Sequence, residues 1–171
     1  MRVIITGTPG CGKSTLAKLL SRKLNYELFS LSQVAKENSL VDKNSEVDLV
    51  KLKKKLSFLN KKDNYVLEGH LACEIHLPAD FVFVLRTNPD TLKQRLKKRK
   101  YSKQKIEDNL LSEVLDYCLI LGEKNYKKPI IQVDTSKRSL KSSLELMAQV
   151  IKGKKKKGDS VRYSLKDLVI K

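Results

Sequence analysis

The chain has 171 residues, 40% of them apolar and 32% charged, a balance that suits one packed domain and excludes a wholly disordered tail. Thirty-six Lys and Arg against 19 Asp and Glu leave a net charge of +17, a field that draws polyanions such as nucleic acid or phosphorylated small molecules. The longest apolar runs, residues 81–85 and 117–121, fall far short of the ~18–20 residues that cross a bilayer, and glycine appears at Gly7 before any signal-like stretch has formed, so no membrane association and a cytoplasmic location are expected.

Cys11, Cys73 and Cys118 are odd in number and far apart, with no CxxC or Cys/His spacing. A disulfide framework or zinc site is not expected, and the three read as small buried apolar residues.

Residues 2–6 are a β-branched run that stops at glycine, the look of a buried parallel strand. Residues 14–24 place Leu16, Ala17, Leu20 and Leu24 at helical spacing. Residues 26–31 suit a second strand, 32–60 a polar helical stretch, and 65–68 a strand ending in Gly69. Residues 80–85 form a strongly apolar strand, and 89–98 a helix with Asn88 as N-cap and Pro89 at its first position. One long helix is predicted over 103–123, a last strand over 129–133 and a final helix over 139–151. Strands alternating with helices predict an α/β fold with a doubly wound parallel sheet of about five strands. Residues 152–171 carry eight bases and two acids. They read as a basic extension, whose 153–158 run is a flexible linker and whose apolar end suits either an added strand or a partner-binding arm.

The first strand runs into Gly7-Thr8-Pro9-Gly10-Cys11-Gly12-Lys13-Ser14-Thr15. This is the G-x-x-x-x-G-K-[ST] pattern in its required strand–loop–helix context. Glycines let successive N–H groups point at phosphate oxygens, and the helix N-terminus adds partial positive charge. Lys13 can reach the β- and γ-phosphates, Ser14 can ligate Mg²⁺, and Thr15 can reach the α-phosphate. A P-loop binding a nucleoside triphosphate with Mg²⁺ is the firmest expectation.

Such a loop needs a carboxylate on a neighbouring strand for the metal shell. Glu68, closing the 65–68 strand, is the candidate, and His70 beside it is either a group that orients water or moves a proton, or a structural strand-end residue. Residues 93–105 hold eight bases and no acid. They are either a solvated helix face or a lid whose guanidinium groups, Arg95 and Arg99, lie over transferring phosphoryl oxygens.

These residues resemble the adenylate kinase isoenzyme 6 family, which includes archaeal adenylate kinases and the eukaryotic CINAP/Fap-type ribosome-assembly factors. The resemblance covers roughly residues 1–150. It rests on the phosphate loop, on Glu68-Gly69-His70, on Val84-Leu85-Arg86-Thr87-Asn88, and on residues 95–101 followed by Lys105-Ile106-Glu107-Asp108-Asn109 and Glu113. It implies a nucleoside monophosphate (NMP) kinase domain over 1–151, with an NMP-binding segment near 30–53 and a lid near 98–108. It implies ATP contacts from Gly10, Gly12, Lys13, Ser14, Thr15 and Arg99, catalytic roles for Lys13, Glu68, His70 and Arg99, and Mg²⁺ held through Ser14 and Glu68. The partners it implies are ATP and AMP or another NMP, together with a small-subunit platform ribosomal protein and rRNA. Many members carry Asp where this chain has Glu68, and Lys36 stands where a relative has arginine. No arginine lies between Arg22 and Arg86, so the NMP grip rests on a point charge rather than a bidentate fork. The expected function is an NMP kinase with ATPase activity that assists small-subunit maturation. The alternatives are a ribosome-bound ATPase switch with incidental kinase activity and a small-metabolite kinase.

Overall fold

The computed structural model describes residues 1–43, 46–155 and 157–168. Five parallel strands form one sheet in the order β2-β3-β1-β4-β5. In chain order the elements are β1 (Arg2–Gly7), α1 (Lys13–Leu24), β2 (Glu27–Ser30), α2 (Leu31–Glu37), α3 (Leu49–Lys55), β3 (Tyr65–Glu68), β4 (Phe81–Arg86), α4 (Pro89–Lys98), α5 (Lys103–Val114), α6 (Tyr117–Asn125), β5 (Ile130–Asp134) and α7 (Leu140–Ile151).

Alternation along β1 divides the core. Val3 and Ile5 face a cluster with Leu16, Leu20, Phe83, Leu96, Val133 and Met147. Ile4 faces the opposite cluster with Leu31, Leu52, Leu59, Leu67 and Val82. Burial on both faces is what makes the strands read as apolar runs instead of alternating ones. Because β1 lies between β3 and β4, the chain crosses in both directions from it. The crevice beyond the carboxyl ends of β1 and β3 is therefore the topological switch point, where open α/β sheets bind ligands.

Three expectations are corrected. The long helix over 103–123 is two helices, because Asp116 adopts φ 56°, a left-handed conformation that ends one helix and starts the next in a new direction. Its carboxylate is drawn to Arg86 Nη2, 2.5 Å away. The helical stretch over 32–60 is α2, an antiparallel bridge between Val41 and Val47, α3 and a 3₁₀ turn at Ser57–Lys61; residues 44–45 lie outside the described part. The segment after Gly158 does not add a strand to the sheet over its described residues. It returns to the sheet edge, where Asp159 N–H donates to Gln132 O (2.9 Å) and Asp159 pairs bidentately with Arg138. Val161 is buried, and Leu168 packs against the α1-side core. Lys156 of the basic run and residues 169–171 of the apolar end lie outside the described part. All three cysteines are free and buried.

Candidate active site

The loop between β1 and α1 is built around glycine. Gly10 and Gly12 have φ of 97° and 94°, which L side chains adopt only under strain. Cys11 N–H closes a turn on Thr8 O (3.2 Å). Lys13 folds back over this loop, its Nζ donating to the carbonyls of Gly7 (2.7 Å) and Thr8 (3.0 Å). The ammonium is thus held beside the curve where polyphosphate oxygens would lie. Ser14 and Thr15 occupy the first turn of α1, where unpaired N–H groups and the helix dipole favour an anion.

Glu68 ends β3 and is 5% exposed. Its Oε2 accepts from Ser14 Oγ (3.2 Å) and its Oε1 from Ser30 Oγ (2.7 Å). Register explains the meeting: Glu68 is paired with Ile5 of β1 and Ser30 of β2, so its side chain emerges beside the loop that β1 feeds. A carboxylate and a hydroxyl are the hard oxygen donors Mg²⁺ takes, with phosphates and waters completing its octahedron. Among the described residues no group of three or more His, Cys, Asp or Glu could hold a metal. The Ser14 hydroxyl and Glu68 carboxylate suit an ion whose remaining ligands are phosphate and water oxygens.

His70 follows Gly69, its carbonyl accepting from Thr6 Oγ1 (3.0 Å) and its ring opening into the cleft. The residue is exposed at its surface, but desolvation by neighbouring atoms and then the charges of Lys13 and Lys105 push its pKa down to about 4. The imidazole is neutral near pH 7 and can accept a proton.

Gly10, Gly12, Lys13, Ser14, Thr15, Glu68, His70 and Arg99 all line one cleft of about 550 Å³. Arg99 reaches it from the end of α4, where Lys100 at φ 57° turns the chain toward α5. Arg95, its partner in the expected lid pair, is held elsewhere: Nη2 donates to Thr135 O (2.6 Å), and Nη1 lies 3.2 Å from Thr135 Oγ1. Lys36 is not brought to the cleft either. It is exposed on α2, and the residues of that helix lining the cleft are Leu31, Ser32 and Ala35.

Two residues of the motif block that carries the resemblance, Lys105 and Glu113, have no site role of their own in the sequence reading. Lys105 lines the cleft, but nothing in the run of eight bases marks it out. Glu113 joins the phosphate loop to the end of β4. Its signal was present: an acid on a helix face whose other members, Ile106, Leu110 and Val114, are apolar and buried.

Four likenesses bear on the chain. The AAA domain model (AAA_18) matches residues 3–116. A Pyrococcus abyssi protein named "Putative adenylate kinase" is 40% identical over 89% of this chain and 84% of its own length. A Methanocaldococcus jannaschii protein of the same name is 31% identical over 97% of this chain and 94% of its own. Among solved structures, shikimate kinase from Acinetobacter baumannii superposes with a TM-score of 0.68 at 17% identity, covering 90% of this chain and 94% of that one. At that identity it establishes the fold alone.

Proposed function

The chain belongs to the family of the archaeal proteins named "Putative adenylate kinase", a P-loop kinase lineage, and on that footing we propose that it is a Mg²⁺-dependent NMP kinase, ATP + AMP = 2 ADP, open to other NMPs and with ATPase activity. One observation carries the reading: the phosphate loop, the Ser14–Glu68 pair and Arg99 open on a single cleft that continues to α2.

The loop N–H groups and Lys13 take the β- and γ-phosphates of ATP. Ser14 and Glu68 hold the Mg²⁺ shell, and the ion, when bound, neutralises charge on the transferring phosphoryl group. Arg99, which lines the same cleft, adds a cation for that group. An NMP phosphate attacks in line and needs little base, so orientation and charge neutralisation supply most of the rate. When water occupies the acceptor side, neutral His70 orients it and takes its proton, which favours hydrolysis as an accompanying activity. Residues 1–151 form the catalytic domain in this reading, and 152–171 a basic extension. The +17 charge suits rRNA and a small-subunit platform ribosomal protein as partners, the ones the family resemblance implies.

A transfer screen of Mg·ATP against AMP, CMP, GMP, UMP and water tests the reading. ADP is expected to form in dependence on the NMP. Lys13→Ala is expected to cut turnover by about 10²–10³-fold, the scale of losing one preorganised charge at a transition state, with an unchanged circular dichroism spectrum. Normal turnover in that variant would defeat the assignment.

A further inference from the structure

Glu113 does not line the cleft and is 2% exposed. A carboxylate taken from water costs several kcal/mol unless both oxygens find partners. Here Oε1 accepts from Arg86 Nε (2.8 Å) and Thr87 N–H (3.0 Å). Oε2 accepts from the Thr8 hydroxyl and, at 3.7 Å, from the Cys11 thiol. That thiol stays protonated: burial, then the charge of Glu113, pushes its pKa up to about 12.

Two of these four donors belong to the phosphate loop, and each of the two residues is held at a second point. The Thr8 carbonyl accepts from Lys13 Nζ (3.0 Å), and the Cys11 carbonyl lies 3.0 Å from Thr135 Oγ1. Arg86 does not depend on Glu113 Oε1 alone, since Nη2 also bonds Asp116 Oδ1 (2.5 Å) and the Glu113 carbonyl (2.9 Å). Neutralising Arg86 therefore does not by itself explain why Oε2 is aimed at the loop.

We infer that Glu113 is a positioning residue for phosphoryl transfer: through Thr8 and Cys11 it fixes the loop in its phosphate-binding curve before nucleotide arrives, and it ties that curve to α5, the helix that carries Lys105 and follows Arg99. The inference rests on the kinase reading above. Donors fixed in advance need no reorganisation when charge develops on them. A loop released from Glu113 must be ordered by the ligand, and that cost is taken from its affinity.

Glu113→Gln strips the charge facing Arg86 and can fail to fold, so the decisive variant is Thr8→Val. It deletes one donor, keeps β-branched volume and leaves the Arg86–Glu113 pair in place. Calorimetry with Mg·ADP, steady-state kinetics with Mg·ATP and a melting curve are run on the full chain. Thr8→Val is expected to weaken Mg·ADP about tenfold and to lower kcat/KM for ATP by a similar factor, the size of one lost hydrogen bond to a charged group, and Thr8→Ser to restore both. If Thr8→Val lowers the melting temperature while affinity and kcat/KM stay within about twofold of wild type, well under the value of such a bond, the network is only structural and the inference fails. A wild-type chain that binds no Mg·ADP would defeat the kinase reading, and this inference with it.

Discussion

The two halves of the cleft are built by different means. On the phosphate side the loop is gripped from Thr135 after β5 and from Glu113 on α5, whose carboxylate the Thr87 N–H after β4 holds in turn, and these residues are all buried. On the side proposed for the acceptor, α2 is only seven residues long, too short to be stable without packing. Val41 stands 43% exposed there. The phosphate half is thus finished by the protein itself, whereas the acceptor half offers an apolar wall of Leu31, Ala35, Val41 and Val47. The lesson is one of cost. A polyphosphate needs many N–H groups at fixed angles, which only a rigid loop supplies. A monophosphate with its base can be held by fewer contacts made as it binds.

The most severe way to break this contrast is to attack the buried network. Arg86 is 2% exposed and faces Glu113 and Asp116. Burial alone would lower its pKa, but the two carboxylates outweigh that and raise it. Arg86→Met leaves Glu113 charged and buried against a thioether. A loss of about 3–5 kcal/mol in chemical denaturation is expected, the cost of removing one partner from a buried pair. Val41→Ser on the apolar wall of the cleft is expected to change stability by only about 0.5 kcal/mol, as partly exposed surface changes do. Equal losses in the two variants would erase the difference between the halves.

That asymmetry also governs how much could be read in advance. The strand–loop–helix around Lys13, the α4 cap at Asn88 and the carboxylate at Glu68 were legible, because each follows from local chemistry at fixed spacing. The α5–α6 break was not, since residues 103–123 hold a helical pattern throughout. Asp116 leaves the helix for Arg86, which is 30 residues earlier, a tertiary contact that overrides local propensity. The same holds for Lys36 and Lys105. Both are lysines in helical segments, and only the packing of α2 and α5 decides which one faces the cleft.

This last distinction gives a sharper, smaller test. Among the described residues the Lys and Arg side chains lining the cleft are Lys13, Arg99 and Lys105. Lys105→Met is expected to raise KM for the acceptor NMP roughly three- to tenfold, somewhat less than a fully buried charge-assisted hydrogen bond because the site is open to solvent. Lys36→Met, on a helix face outside the cleft, is expected to change it less than about twofold, as for a surface position away from any such contact. The reverse ranking would return the acceptor grip to α2.

The smallest expected effect lies at the seam of the two halves, and its sign is definite. His70 has its pKa lowered from the ordinary 6.5 to about 4, first by desolvation and then by Lys13 and Lys105. The unfolded chain therefore holds the imidazole proton more tightly than the folded one. The group's contribution to stability is complete above about 6.5, and it is lost as pH falls from there through about 4. Over pH 6–8 the ring stays neutral, so kcat/KM is expected to carry no inflection from His70 in that window. The inflection belongs on the acid side, and Lys105→Met should move it upward by removing one of the cations that oppose protonation. A pH–rate break between 6 and 7 that His70→Asn abolishes would mean that the imidazole is fully solvated and feels neither lysine. The phosphate side and the acceptor side would then be electrostatically separate rather than joined at this residue.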